Sequence, residues 1–336
     1  MSAGAAADGT PPNAGGAPPI EVRGLIKRYG ELTAVAGVDL TVNTGDVYGY
    51  LGPNGAGKTT SLRMMLGLIR PTAGTVRLFG RDPMEGVRAL DGVAGFVEAP
   101  TFYPYLNARR NLELLAAFDG HGAPERIDQA LDTVELSSRA GDRVGGFSHG
   151  MRQRLGIAAA LLRDPRLLLL DEPATGLDPA GMRDMRLLIH RLAGQGMTVL
   201  LSSHLLTEVE DVCNRVAIVR SGRIVYEGEI AALKRGAGIS YRLETTDDQR
   251  ALAVCRAQPG VTDSQIDEHG RIIFTADEAA AAELSQALVE AGALIRVLAP
   301  QRVTLEYLFF SFTEGDGQSP ASPSPPDPAP KQPAAH

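Results

Sequence analysis

Two short stretches carry residue types that do chemistry together: residues 52–60 read GPNGAGKTT and residues 167–173 read LLLLDEP. The pattern Gly52-x4-Gly57-Lys58-Thr59 follows the apolar run 47–51 and precedes a helical pattern. That strand–turn–helix context makes it a phosphate cradle rather than an ordinary glycine-rich turn. Glycines let backbone N–H groups turn toward phosphates, and the helix N-terminus adds a favourable dipole. Lys58 is placed to neutralise the β- and γ-phosphates, and the Thr59 hydroxyl to ligate Mg²⁺. The nucleotide-binding set predicted here is Gly52, Pro53, Asn54, Gly55, Ala56, Gly57, Lys58, Thr59 and Thr60. In the second stretch, residues 167–170 read as a buried parallel strand. A carboxylate at its carboxyl end, beside the cradle, can reach a metal. Asp171 would hold Mg²⁺, directly or through water. Glu172 would orient or deprotonate an attacking water, a role that contributes ~10²–10⁴-fold to rate. Without the cradle, the same Asp-Glu pair before Pro173 would read as well as a solvated turn as it does as a metal site. With it, the chemistry is binding and hydrolysis of a Mg²⁺-nucleotide.

The elements that must position these groups read as an α/β chain. β-like runs occupy 20–29, 32–35, 38–42 and 46–51, and this opening stretch predicts a separate antiparallel layer. Apolar residues at Leu62, Met65, Leu66 and Ile69 give a helix over 57–69, stopped by Pro71 and Gly74. Runs 75–80 and 93–98 look like strands. Two helical patterns fill 107–136, separated by a turn at 119–122. Helix 150–163, strand 167–171, helix 180–194, strand 197–202, helix 205–212 and strand 214–220 follow. Alternating strands and helices argue for a mainly parallel sheet. Beyond a joint at 234–238 come strand 239–245, helix 247–256, strands 261–266 and 270–275, helix 277–290, strand 293–298 and helix 303–313. That β-α-β-β-α-β order is that of a ferredoxin-like unit. The expected division is a disordered extension over 1–19, a nucleotide-binding domain over 20–235, an accessory domain over 236–314 and a proline-rich disordered tail over 315–336.

Composition narrows the classes. The chain has 336 residues, enough for roughly two domains. With 44% hydrophobic and 22% charged residues it has the profile of a globular protein. A net charge of −7 and the absence of a long basic run argue against nucleic acid as a partner. Cys213 and Cys255 lack metal-ligand spacing and imply no disulfide framework, which fits a reducing compartment. The N-terminus has no basic and apolar regions of a secretory signal. No run reaches the ~18 apolar residues that cross a bilayer, so any span belongs to another chain.

Between the two motifs lies FSHGMRQRLGIAAALLRDP at 147–165. Here the chain resembles the nucleotide-binding subunit of ATP-binding cassette (ABC) transporters, over about 20–235. GPNGAGKTT matches the family's phosphate loop, FSHGMRQR its signature (usually LSGGQ-x-QR), LLLLDEP its metal strand, TGLDP at 175–179 its D-loop and SSH at 202–204 its switch-histidine loop. The resemblance implies a P-loop cassette: parallel core, antiparallel β layer and helical subdomain. It implies ATP and Mg²⁺ as cofactors. Two cassettes, in a homodimer or with a paralogue, bury two ATP molecules head to tail. Tyr29, in KRYG, falls where the family stacks a ring on adenine; the alternative is a plain strand aromatic. Ser148 and Gly150 would meet the γ-phosphate in trans, and Ser148 is also a natural helix cap. His204 would meet it in cis, and Asp178 would join the two sites. The implied partner is an integral membrane permease at the cytoplasmic face of the membrane.

The chain departs from the family pattern in two places. His149 and Met151 replace the usual second glycine and glutamine of the signature. Glu98, in GFVEAPTFYPYL, stands where the family has a glutamine that ligates Mg²⁺; glutamate keeps the oxygen and adds a charge. Drug- and bacteriocin-resistance exporter ATPases look similar at both places, which points to an exporter. The aromatic stretch Phe102, Tyr103, Tyr105 and Leu106 falls where the family docks on its membrane partner, or packs internally. The alternative function is a soluble ABC ATPase acting on ribosomes or DNA. Such relatives carry two cassettes or long insertions, and neither is read here.

Overall fold

The computed structural model describes residues 16–119, 124–236, 239–267 and 270–301. The first fifteen residues, the 120–122 part of the predicted turn, the expected helix 303–313 and the proline-rich tail lie outside the described residues.

The chain begins with β1 (Ile20–Tyr29), β2 (Leu32–Val42), β3 (Val47–Leu51), α1 (Lys58–Met65), β4 (Ala73–Leu78) and β5 (Val93–Phe96). It continues with α2 (Ala108–Asp119), α3 (Ile127–Thr133), α4 (His149–Leu161), β6 (Leu167–Asp171), α5 (Pro179–Gly194), β7 (Thr198–Ser203), α6 (Leu206–Val212), β8 (Arg215–Arg220), β9 (Arg223–Glu229) and α7 (Ile230–Gly236). A last unit comprises β10 (Ile239–Thr245), α8 (Asp248–Ala257), β11 (Val261–Ile266), β12 (Ile272–Ala276), α9 (Glu278–Glu290) and β13 (Ile295–Gln301).

The main sheet has six strands in the order β5-β6-β7-β3-β8-β9, all parallel except the antiparallel edge strand β9. Both of its faces are covered, and successive residues of one strand enter different cores. Leu168 and Leu170 of β6 pack with the helices α2 to α5, as do Val199 and Leu201 of β7. Leu167, Leu169 and Leu200 pack under the antiparallel layer with Tyr48 and Tyr50 of β3. Two-sided burial is why these strands read as unbroken apolar runs. Each buried leucine contributes about 1.5–3 kcal/mol.

The antiparallel layer is β2-β1-β4. Of the opening runs, the one ending at Leu51 belongs instead to the parallel sheet, and β4 takes its place in the layer. Runs 32–35 and 38–42 form one strand, bent by irregular pairing with β1. The layer closes down on Pro19, which is buried and accepts from the Phe79 N–H at 3.2 Å. Helix α1 stops at Met65, short of the expected end at 69, because Gly67 takes φ +68° and packs against the Pro83 carbonyl.

The last unit is an antiparallel sheet of order β11-β12-β10-β13. Its α8 and α9 cover the face that carries Tyr241, Leu243, Ile272 and Phe274.

Candidate functional site

The cradle is held by close backbone approaches that leave room only for glycine. A methyl group at Gly52 would stand 2.5 Å from the Val219 carbonyl oxygen. At Gly57, with φ +99°, it would stand 2.3 Å from that of Ala34 in β2. The β8–β9 turn fastens the same place: the Ala36 N–H donates to the Gly222 carbonyl at 2.8 Å, and the Gly222 N–H to the Ala56 carbonyl at 3.0 Å. Pro53, Asn54 and Gly55 form the exposed rim, and Thr59 and Thr60 are half-buried in the first turn of α1. Lys58 is buried under the loop. Its Nζ donates to the carbonyls of Gly52 (2.7 Å) and Pro53 (3.2 Å) and lies 3.1 Å from Glu172 Oε1. Those contacts match the three donors of an ammonium group.

Sheet register brings the carboxylates to the cradle. Leu51 pairs with Ser203 and Asp171 with Ser202, so β3, β6 and β7 end at one level. Gly52, Glu172 and His204 are the residues that follow. Asp171 is buried, and its Oδ1 accepts from Ser202 Oγ at 2.5 Å. Ser202 Oγ in turn accepts from the Glu172 N–H at 3.0 Å. Glu172 takes φ +49°, a costly conformation for a residue with a side chain. Its Oε2 accepts from Thr175 Oγ1 at 2.6 Å and from His204 Nδ1 at 2.5 Å. Burial opposes ionisation of Glu172, but the Thr175 hydroxyl, Lys58 and His204 outweigh it and hold the carboxyl below the usual glutamate range. A carboxylate so held is ionised at neutral pH and can accept a proton.

Behind the histidine, Ser203 Oγ donates to Glu208 Oε2 at 3.0 Å, while Glu208 Oε1 has no partner. Burial pushes the Glu208 carboxyl up, partly offset by the Ser203 hydroxyl and His204.

The signature lies in a different cleft. Ser148 caps α4 by accepting from the Met151 N–H at 3.2 Å, and Asp178 caps α5 by accepting from Gly181 at 3.1 Å. Ser148, Gly150 and Asp178 line one cavity of about 340 Å³, which includes none of the cradle residues. Tyr29 is half-exposed at the end of the β1–β2 hairpin, with Lys27 Nζ 5.1 Å from its ring centre. Glu98 follows β5 with φ +68°, and its carboxylate is paired with Arg63 of α1. Tyr103 and Tyr105 are exposed, with ring centres 5.8 Å apart.

For Mg²⁺, the donors at hand are the Thr59 hydroxyl and the Asp171 carboxylate, hard oxygens of the kind the ion prefers. Among the described residues no group of three or more acidic, His or Cys side chains forms a cage. Mg²⁺ is commonly held by one or two carboxylates, with water and substrate phosphates filling the rest of its shell. Sequence reasoning did not anticipate Ser202, Thr175 or Arg63 as participants. Aligning the ends of the two neighbouring parallel strands would have found Ser202. Nothing in the sequence marks Arg63.

The family described as ABC transporter matches residues 35–175. The bacitracin transport ATP-binding protein BcrA of Bacillus licheniformis is 37% identical over 298 residues, which cover 88% of this chain and 97% of that one. The chain belongs to the ABC transporter family. Another relative, the daunorubicin resistance ATP-binding protein DrrA3 of Streptomyces coeruleorubidus, is 36% identical over 88% of this chain and 96% of its own. A solved ATP-binding subunit of an ABC transporter superposes with TM-score 0.58 at 28% identity, covering 65% of this chain and 92% of that one. A solved ATP-binding cassette in a dimeric post-hydrolysis state with ADP and Pi gives 0.57 at 25% identity, covering 63% and 98%. As a member of this ABC family, the chain binds ATP and hydrolyses it to power transport. Among the described residues, no helix is long and apolar enough to cross a membrane.

Proposed function

We propose that this chain is the ATPase subunit of an exporter of drug, antibiotic or peptide type, working as a pair of cassettes closed around two ATP molecules. The observation that carries the proposal is the separation of two half-sites on one chain. One holds Lys58, Glu172 and His204; the other holds Ser148, Gly150 and Asp178. A nucleotide on the cradle needs a second signature, and a second cassette supplies it. The dimeric cassette among the solved relatives supports this pairing. The relatives' roles in bacitracin transport and daunorubicin resistance support export, whereas those names lend nothing to a soluble ATPase on ribosomes or DNA. The acidic balance gives no support to a nucleic-acid partner.

In this reading the cradle from Gly52 to Thr60 grips the phosphates, and Tyr29 stacks on the base. Thr59 and Asp171, with Glu98 once released from Arg63, would hold Mg²⁺, which would supply positive charge to the phosphate oxygens. Lys58 exchanges Glu172 for phosphate, which frees Glu172 Oε1 to accept a proton from the attacking water. His204 keeps Nδ1 on Glu172 and turns Nε2 to the γ-phosphate. Loss of the γ-phosphate removes the bridge, and the pair opens. An integral membrane permease at the cytoplasmic face converts the opening to transport, docking on the aromatic stretch from Phe102 to Leu106. The C-terminal unit, with the strand order of a ferredoxin-like fold, is read as a contact or regulatory domain over 236–314.

Trans-complementation tests the pairing. Ser148→Arg and Lys58→Ala should each be inactive alone. Mixed, they assemble one intact composite site, and ATP hydrolysis should return. Silence of the mixture, with each variant folded and co-assembled, would overturn the composite site.

A further inference from the structure

The signature of this chain carries His149 where the family pattern has glycine, and that imidazole makes a bond a glycine could not. His149 Nε2 lies 3.1 Å from the Thr175 carbonyl oxygen, which can only accept, so the ring donates. Gly176, next along, presents its Cα side to the same ring; a Cβ there would stand 3.6 Å from it. Thr175 is also the residue whose hydroxyl holds Glu172 Oε2 at 2.6 Å. Its N–H donates to the Glu172 carbonyl at 3.2 Å, which closes a tight turn. The chain of contacts therefore runs from the first residue of α4, through the Thr175 peptide and hydroxyl, to the carboxylate beside Lys58.

We infer that His149 is a positioning residue for Glu172, acting through Thr175. Thr175 itself is exposed, although Pro173 and Ala174 before it are buried, so its hydroxyl and carbonyl are directed by hydrogen bonds rather than by contacts of its own side chain. Pinning the Thr175 carbonyl fixes the peptide that bears the hydroxyl. Glu172, in its strained backbone conformation, gains a second restraint on the direction of Oε2. By the same bond, a shift of the signature helix when it meets a nucleotide is transmitted to the carboxylate of its own chain. The inference rests on the reading of Glu172 as the base.

The experiment uses the full chain and ATP. His149→Leu removes the donor while keeping an apolar side chain of similar reach; His149→Gln restores an N–H donor. One hydrogen bond is worth about 0.5–1.5 kcal/mol, so His149→Leu should lower kcat by about two- to tenfold, with KM for ATP within about twofold. His149→Gln should recover most of that loss. Thr175→Val should lower kcat too, and adding His149→Leu to it should cost little more, because the two act along one path. An unchanged kcat in His149→Leu overturns the inference. So does a rise in KM alone, which marks a nucleotide contact instead, and so does full additivity with Thr175→Val. Glu172→Gln, run beside them, separates the two ideas: activity surviving there removes the base itself, while activity lost there and intact in His149→Leu removes only the positioning role.

Discussion

Replacing Glu172 by glutamine should separate binding from turnover, and the structure sets the size of each effect. The carboxylate lies 3.1 Å from Lys58 Nζ and is about one-fifth exposed, while the ammonium is almost fully buried. The glutamine side chain keeps the shape and an oxygen for Lys58 but loses the charge and the capacity to take a proton. Without a base, kcat should fall by ~10²–10⁴-fold. Binding should change in the other direction. In the free chain Glu172 competes with phosphate for Lys58. Lys58 keeps its charge when glutamine replaces Glu172, so what is lost is the ion-pair part of the contact, roughly 0.2–1 kcal/mol for a solvent-open pair and at the top of that range here because Lys58 is buried. Allowing for partial solvent screening, the lost competition is about 1 kcal/mol, or roughly a fivefold tighter Kd for ATP. Titration of the variant with Mg²⁺-ATP, followed by calorimetry, measures Kd, and a coupled phosphate-release assay measures kcat. The bound variant should also elute as a dimer. Full turnover would refute the assignment of the base, and a Kd several-fold weaker than wild type would refute the competition for Lys58.

Two further outcomes follow from the local geometry. Gly57→Ala forces a side chain into a left-handed backbone position 2.3 Å from the Ala34 carbonyl, so it should cost at least about 2 kcal/mol and abolish ATP binding. Thermal melting and a fluorescent nucleotide check it, and wild-type values for both would contradict the described packing. Glu208 has a raised carboxyl in the folded state. Its protonated form therefore adds stability below the unfolded-state value of about 4.3, and that stability is lost as pH rises through the folded-state value. Glu208→Gln should remove this slope, so its stability relative to wild type should improve from acid to neutral pH; a pH-independent difference in urea unfolding would refute it.

How much of this could be read from the chain depends on which physical signal each part leaves. The parallel strands were legible because burial on both faces makes LLLL at 167–170 and VAIV at 216–219 continuous apolar runs. The cradle and metal strand were legible because their chemistry is packed into a few consecutive residues. Strand β9 was missed because as a half-exposed edge its burial alternates, and RIVYEGE mixes charge with apolar residues. The assignment of the run before Leu51 to the antiparallel layer failed for another reason. VYGYL is no aliphatic block and directly follows two antiparallel strands, whereas the strands it pairs with in parallel, β7 and β8, lie far along the chain. Bonds such as Ser202 to Asp171 and Arg63 to Glu98 join residues 31 and 35 positions apart, and no local pattern announces them. They arise from register and from the direction in which a strand's last residue points.

The meeting of Ala34, Gly57 and Gly222 has a mechanical consequence. Three segments far apart in sequence touch there through main-chain atoms, with no side chain between them to act as a cushion. The hairpin that ends at Tyr29 and the loop that ends at Lys58 are thereby parts of one stiff caliper, set to a fixed gap. On the proposed stacking of Tyr29, a nucleotide would be gauged from base to phosphates by this one pinned assembly, and any opening between paired cassettes would fall at other joints.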